Sequence, residues 1–161
     1  MSEIVGFEFA TVNGKRVVPR TYPVLYHGSE HESRATFDEN DGLPARGKDI
    51  ELIRHVQPPP GSQPDSAFRG TTSYPVSPAL DAGACFWAGD GGWLYEVHDY
   101  PGYDIGELLA GRVPNGKGGF RDPLMKEQEI AIPARVVRAA VARIGTVMER
   151  RRGFIVDWKN V

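Results

Sequence analysis

Nineteen glycines and thirteen prolines punctuate the 161-residue chain, a density that demands long loops and lets those loops shape the function. Between the breaks the sequence reads as alternating short elements with no internal repeat. "FEFATVNGKRVVP" reads as a hairpin around Asn13-Gly14, a strong two-residue turn signal. "YPVLYHG" reads as a strand of good strand formers that stops on His27 and Gly28. "ESRATFDENDG" is a helix closing on Gly42. "GKDIELIRHVQ" carries Ile50, Ile53 and Val56 at helical spacing, and "PPPGSQPD" is a surface loop. "SAFRGTTSY" is a strand, and "SPALDAGACFW" opens with a capping serine and a proline in the first helical position. "GWLYEVHDY" is a strand, "YDIGELLAGR" a short helix or turn, and "RVPNGKGGFRDP" a long glycine-rich loop. "EQEIAIP" is a strand bounded by Pro133, and "MERRRGFIVDW" is another. "ARVVRAAVARIG" divides between strand-forming valines and helix-forming alanines. The sum is mixed α and β, with strands dominating the second half.

Length places the chain in one domain with a single core. A formal net charge of −2 and a pI near 6.1 exclude a protein that holds nucleic acid by bulk electrostatics, though not one with a local basic groove. Cys85 is the single cysteine, so neither an intrachain disulfide nor a cysteine metal cage can form, and Ala84 and Phe86 beside it suggest a buried, inert thiol. "MSEIVGFEFA" lacks a basic region followed by an apolar run, so no signal peptide is expected. No apolar stretch is long enough to span a bilayer, and no membrane partner is expected.

"MKEQEIAIP" carries the most chemistry. On a continuous strand Glu127 and Glu129 would project from one face about 7 Å apart, with Ile130 and Ile132 turned into a core. Two such carboxylates titrate as a coupled pair and suit attack at a glycosidic carbon, one stabilising an oxocarbenium-like centre while the other handles the nucleophile. The same two acids are also compatible with a solvated strand face. His27 is compatible with a polar rim residue, and His31, His55 and His98 share no spacing with acids that would make a metal site.

Taken in order, these pieces resemble the mono-ADP-ribosyltransferase toxins of the cholera, pertussis and pierisin-scabin type. "LYHGSEHESRATFDENDGLPARGKDIELIRHV" resembles their opening block, a strand ending in Leu-Tyr-Arg, a polar helix, Gly-Leu-x-Pro-Arg-Gly and a helix ending in His-Val. "SAFRGTTS" is similar to their Ser-x-Phe-Val-Ser-Thr-Ser strand, and "KEQEIAIP" to their final Glu-x-Glu or Gln-x-Glu strand. The resemblance runs from about Tyr22 to Ile144, implies a turn and another strand for "ARVVRAAVARIG", and has two departures. His27 stands where the family has arginine, and "LYHGS" is similar instead to the Tyr-His-Gly-Thr of diphtheria toxin and the poly-ADP-ribose polymerases. Gly70-Thr71-Thr72 stands where the family has Ser-Thr-Ser, or Thr71-Thr72-Ser73 does if the register shifts by one.

The resemblance implies an α+β ADP-ribosyltransferase fold, two packed and mainly antiparallel β-sheets with peripheral helices and an NAD cleft between them. NAD would be the co-substrate, with no metal. Glu129 would stabilise the positive ribose carbon and hold the 2′-hydroxyl, and Glu127 would hold and deprotonate the acceptor. His27 would hydrogen-bond a ribose hydroxyl, and Gly28 would hold the nicotinamide carboxamide through its backbone, its missing side chain letting the ligand approach. Thr72 or Thr71 would replace the missing serine hydroxyl, Tyr74 would stack on nicotinamide, and Arg46 would meet the NAD phosphates. Residues 115 to 126 would recognise the acceptor, with Phe120 exposed among the glycines.

Glu-x-Glu marks arginine modifiers in the family, so the expected acceptor is a protein arginine, on a component of the translation machinery or another essential host protein. A nucleic-acid base is the second expectation, and NAD hydrolysis or NAD binding without catalysis the third. A module of this size is expected to be the C-terminal toxin end of a larger secreted bacterial protein. It would act in the cytoplasm of a target cell, in competition between bacteria, opposed by a cognate immunity protein.

Overall fold

The computed structural model describes residues 3–76, 83–114, 120–121 and 128–161. Strands β1 (Ala10–Val12) and β2 (Lys15–Val17) form the expected hairpin, with Asn13 and Gly14 at φ 52° and 77°, the left-handed pair that a tight two-residue turn requires. The long strand β3 (Arg20–Ser29) follows. Helix α1 (Arg34–Glu39) is capped by Ser33, whose Oγ accepts from the Thr36 amide. The chain then forms β4 (Gly42–Leu43), α2 (Leu52–Val56), β5 (Phe68–Thr71), α3 (Ala84–Ala88), β6 (Trp93–Asp104) and α4 (Ile105–Leu108). The serine-proline start expected for α3 lies outside the described residues; the described helix begins after Gly83.

Within the expected glycine-rich loop, β7 (Val113–Pro114) and β8 (Phe120–Arg121) pair antiparallel. Strands β9 (Ile130–Pro133), β10 (Val136–Val137), β11 (Val141–Arg150) and β12 (Gly153–Asn160) complete the chain. The ambiguous "ARVVRAAVARIG" is therefore β10, a 3₁₀ turn at Arg138–Ala140, and the start of β11. Its valines govern, because Val136 and Val141 supply side chains to a buried cluster on the sheet.

Twelve residues long, β6 joins the two halves. Nine of its first ten residues pair with β3 on one side, and its start pairs with β11 on the other, β12 forming the edge beyond; its last two, Tyr103 and Asp104, pair with β9, which pairs in turn with β5. All these ladders are antiparallel. The two sheets expected from the sequence are thus continuous through β6, and the Tyr26–Thr72 bridge brings β3 and β5 together at the far end.

Three apolar clusters fix the layers. Leu25, Tyr95, Val97, Ile130, Ile132 and Ile144 fill the space inside the sheets. Leu52, Phe68, Tyr103, Ile105 and Leu109 bind α2 and α4 to β5 and the end of β6. On the opposite face of the large sheet, Ala84, Cys85 and Ala88 of α3 pack on Leu94 and Val147. Cys85 is buried as expected, and burial pushes its thiol up to about 11.

Candidate active site

A cleft of about 930 Å³ opens where the ends of β3, β5 and β9 converge, lined among others by His27, Gly28, Arg46, His55, Gly70 and Glu129. That volume lies in the range of pockets that hold small molecules and cofactors. Glu129 immediately precedes β9, and its backbone carbonyl accepts from the Ile105 amide at the start of α4. Its carboxylate accepts from His55: Nε2 of the ring lies 2.7 Å from Oε2, while Nδ1 lies 2.7 Å from the hydroxyl of Ser66. Because a carboxylate can only accept, Nε2 carries the proton, and a neutral ring takes the Ser66 proton at Nδ1.

His55 has this reach because α2 is pinned at its start. The carboxylate of Glu51 caps the helix by accepting from the Ile53 amide, and it also accepts from the Gly14 amide and the Thr11 hydroxyl. One buried carboxylate thus ties the first hairpin to the helix that presents His55. The His-Val helix end marks His55 in the sequence, but the pairing with Glu129 spans 74 residues and no local pattern reports it.

Gly70 is the third residue of β5, the place of the first serine in one of the two expected registers. A Cβ built on Gly70 would point at the Glu129 carboxyl, 3.4 Å from its Cδ. The contact that a serine hydroxyl would make there is supplied by His55 from another element. Thr71 and Thr72 do not take over the task. Both are fully buried, Thr71 donates to the Ile130 carbonyl at 2.6 Å, and neither lines the cleft; Ser73 does. Tyr74 is also outside the lining: its hydroxyl donates to Oε1 of Gln128 at 2.5 Å, so the expected stacking platform is a partner of the segment before Glu129 instead.

That segment corrects a further expectation. Gln128 has φ 45°, a left-handed backbone that interrupts an extended strand, so the strand expected over "EQEIAIP" begins only at Ile130. Glu127 itself lies outside the described residues. Of Phe120 the structure describes only the backbone pairing with Pro114. Ile130 and Ile132 are in the core as expected.

Gly28 follows His27 near the end of β3, and its missing side chain has a different cause from the one expected. A Cβ there would lie 2.0 Å from the Ala84 carbonyl oxygen and 2.9 Å from the Ala88 amide nitrogen, so the glycine is required by the close packing of α3. Its backbone remains available to the cleft. Tyr26 exchanges both backbone hydrogen bonds with Thr72, and alternation along β3 turns the N–H and C=O of Gly28 to that same side, past the end of β5.

His27 faces inward and is 4 % exposed. Its Nδ1 lies 2.8 Å from the Gly70 carbonyl oxygen, and Nε2 lies 2.9 Å from Nη1 of Arg69. Neither nitrogen is left over for a ribose hydroxyl, which corrects the expected ribose contact. Burial pushes the imidazole below its ordinary value, and the charges of Arg69 and Arg46 push the same way, against the pull of Glu32 and the Gly70 carbonyl.

Arg69 was not singled out from the sequence, where it stands at a valine position of the family strand. Its side chain is wholly buried and paired with both oxygens of Glu32, at 2.5 and 3.1 Å. Burial would raise the Glu32 carboxyl, but its contacts with His27 and Arg69 and the charges of Arg69 and Arg46 hold it well below the usual carboxylate range. Arg46 lines the cleft as expected, with one guanidinium nitrogen 2.9 Å from Glu32 and the side chain nearly half exposed. Among the described residues no group of three or more His, Cys, Asp or Glu side chains is placed to hold a metal ion.

No protein-family model and no curated protein matches the chain. Solved structures do. A guanine-specific ADP-ribosyltransferase superposes with a TM-score of 0.60 at 17 % identity, covering 89 % of this chain and 79 % of that one. A guanine-specific ADP-ribosyltransferase with NADH and GDP gives a TM-score of 0.58 at 16 % identity, covering 87 % of this chain and 78 % of the other. Scabin toxin from Streptomyces scabies in complex with NADH gives 0.55 at 18 % identity, covering 84 % and 73 %. The α+β architecture, the antiparallel sheets with few helices and this likeness agree, and the chain has the ADP-ribosyltransferase toxin fold.

Proposed function

We propose that this protein transfers ADP-ribose from NAD to a guanine base, in a nucleic acid or a free nucleotide. The observation that carries the reading is the Glu129 carboxylate, held in the cleft by His55 on one side and by its backbone bond to α4 on the other. The unpaired backbone edge of Gly28 lies across the same cleft and suits a carboxamide, which needs one acceptor and one donor. NAD would bring the reactive glycosidic bond. When it breaks, the electron pair leaves with neutral nicotinamide and positive charge develops at the ribose carbon. A fixed carboxylate in a partly dry cleft stabilises that charge without reorganising. The acceptor nitrogen then forms the new bond to the ribose carbon and loses its proton to a carboxylate or water.

The guanine acceptor draws support from the solved structures of this fold, two of which are named as guanine-specific enzymes and one of which holds GDP. The arginine acceptor rested on the Glu-x-Glu motif of the resemblance, and it draws no support from these solved structures, whose named acceptor is guanine. Chemistry at position 127 stays compatible with guanine, since a carboxylate and a carboxamide oxygen both accept from its ring N–H and amino groups.

The test is to incubate the protein with tagged NAD, cell lysate and, separately, guanosine nucleotides. Label that resists protease, is lost to nuclease and persists in Glu127→Gln supports the guanine reading. Protease-sensitive label that Glu127→Gln lowers by about tenfold or more would return the acceptor to protein arginine. Nicotinamide release with no labelled acceptor would make the protein an NAD glycohydrolase.

A further inference from the structure

Arg69 is buried in a way that uses every hydrogen it has. Nε donates to the Ala134 carbonyl at 2.7 Å, Nη2 donates to the Pro44 carbonyl at 2.8 Å and to Glu32 at 3.1 Å, and Nη1 is shared between Glu32 at 2.5 Å and Nε2 of His27 at 2.9 Å. A guanidinium has five N–H donors and no acceptor, so all five are assigned. The contact with His27 then has one solution. Arg69 can only donate, so Nε2 must present its lone pair. The Gly70 carbonyl can only accept, so Nδ1 must carry the proton. The opposite tautomer would set two N–H groups against each other and two lone pairs against each other. An imidazolium would drive its Nε2 proton into the guanidinium.

We propose that Arg69 is a positioning residue of the cleft, locking His27 as the neutral Nδ1–H tautomer and thereby tying the end of β3 to the Gly70 carbonyl of β5, directly beneath Glu129. His27 is on this view a fixed strut between the two strands that flank the cleft, and not a titrating contact to a ligand. The counter-charge of Arg69 is Glu32, just after β3, whose backbone carbonyl accepts from the Tyr95 hydroxyl. The charged and titratable groups that face His27 are Arg69 from β5, Glu32 with Oε1 3.3 Å from Nε2, Arg46 from the segment before α2, and Tyr95 of β6 with ring centroids 6.2 Å apart. At 3.3 Å the Glu32 contact carries no proton in this tautomer, and Arg69 bridges the two acceptors instead.

The lock exists without any ligand, so the first measurement is nitrogen-15 NMR of the histidines in the whole chain without NAD, from about pH 5.5 to 8, the span in which an ordinary imidazole titrates. His27 should show a protonated Nδ1 and an unprotonated Nε2 throughout. Arg69→Met should release it, giving mixed tautomers and a titration inside that span. Glu32→Gln leaves the Arg69 donor in place and should keep the Nδ1–H form, so the proposal remains open to refutation even if Arg69→Met does not fold. A protonated Nε2, or a titration near the ordinary value, in the wild-type chain or in Glu32→Gln would overturn it.

A second readout rests on the proposed NAD chemistry. NAD affinity of the wild type should change by less than about twofold across the span, whereas Arg69→Met should lose about tenfold per pH unit below its new titration point. A wild-type affinity that itself falls about tenfold per unit would overturn the lock. An absence of NAD binding would refute the function while leaving the NMR result to stand.

Discussion

At the scale of single residues, one departure from the toxin pattern is answered from elsewhere in the chain. Gly70 lacks the serine hydroxyl that would orient Glu129, and His55 holds that carboxylate at 2.7 Å from a different element. His55→Ala should therefore lower nicotinamide release by about 10- to 100-fold, the scale of a misplaced reacting group, with little change in melting temperature. Gly70→Ser in the same background should recover part of the loss, because the new side chain would stand in contact with the Glu129 carboxyl. Release assays on the single and double variants check both statements. His27 and Glu32 govern the acid limit of stability. Each is held below its ordinary value in the folded chain, 6.5 and 4.5 respectively, so the unfolded chain binds protons first as pH falls. Stability should decline below about pH 6.5 and again below about pH 4.5. Urea melts across that range should show both losses, and a flat profile between pH 7 and 4 would be inconsistent with the buried pair.

At the scale of elements, most of the order was legible, because it rests on local chemistry. The Asn13-Gly14 turn, the helix that ends before Gly42 and the last strands are where turn residues, helix breakers and branched side chains require them. What could not be read is how elements meet. Gly28 illustrates the difference. The sequence marks it as a place of close approach, but only packing reveals that the approaching atom is the Ala84 carbonyl of α3. Gly28→Ala should therefore displace α3 and destabilise the fold by about 2–3 kcal/mol, the cost of overpacking. A thermal melt should show a drop of several degrees, since each kcal/mol moves a domain of this size by about 2–4 °C. The same limit hid His55 and Arg69. Their partners are 74 and 42 residues away, and no local pattern marks a contact across such a separation. The left-handed Gln128 was equally invisible, since nothing in "KEQEIAIP" announces that the strand starts only at Ile130.

At the scale of the whole molecule, one long strand, β6, carries both sheets, and the cleft forms where β3, β5 and β9 come together. The arrangement gives Glu129 three supports, its backbone bond to α4, its side-chain bond to His55 and the Gly70 strand beside it. The backbone bond to α4 and the neighbouring strand do not involve the carboxylate, so its removal should separate chemistry from stability. The direct test is the rate of nicotinamide release from NAD by the purified chain and by Glu129→Ala, with melting curves of both and guanosine nucleotide present as acceptor. The wild type should release nicotinamide and form an ADP-ribosylated nucleotide. The variant should be slower by about a hundredfold or more, the scale for loss of a preorganised electrostatic group, with an unchanged melting temperature. Equal rates from two well-folded proteins would contradict the assignment of this cleft as the site of transfer.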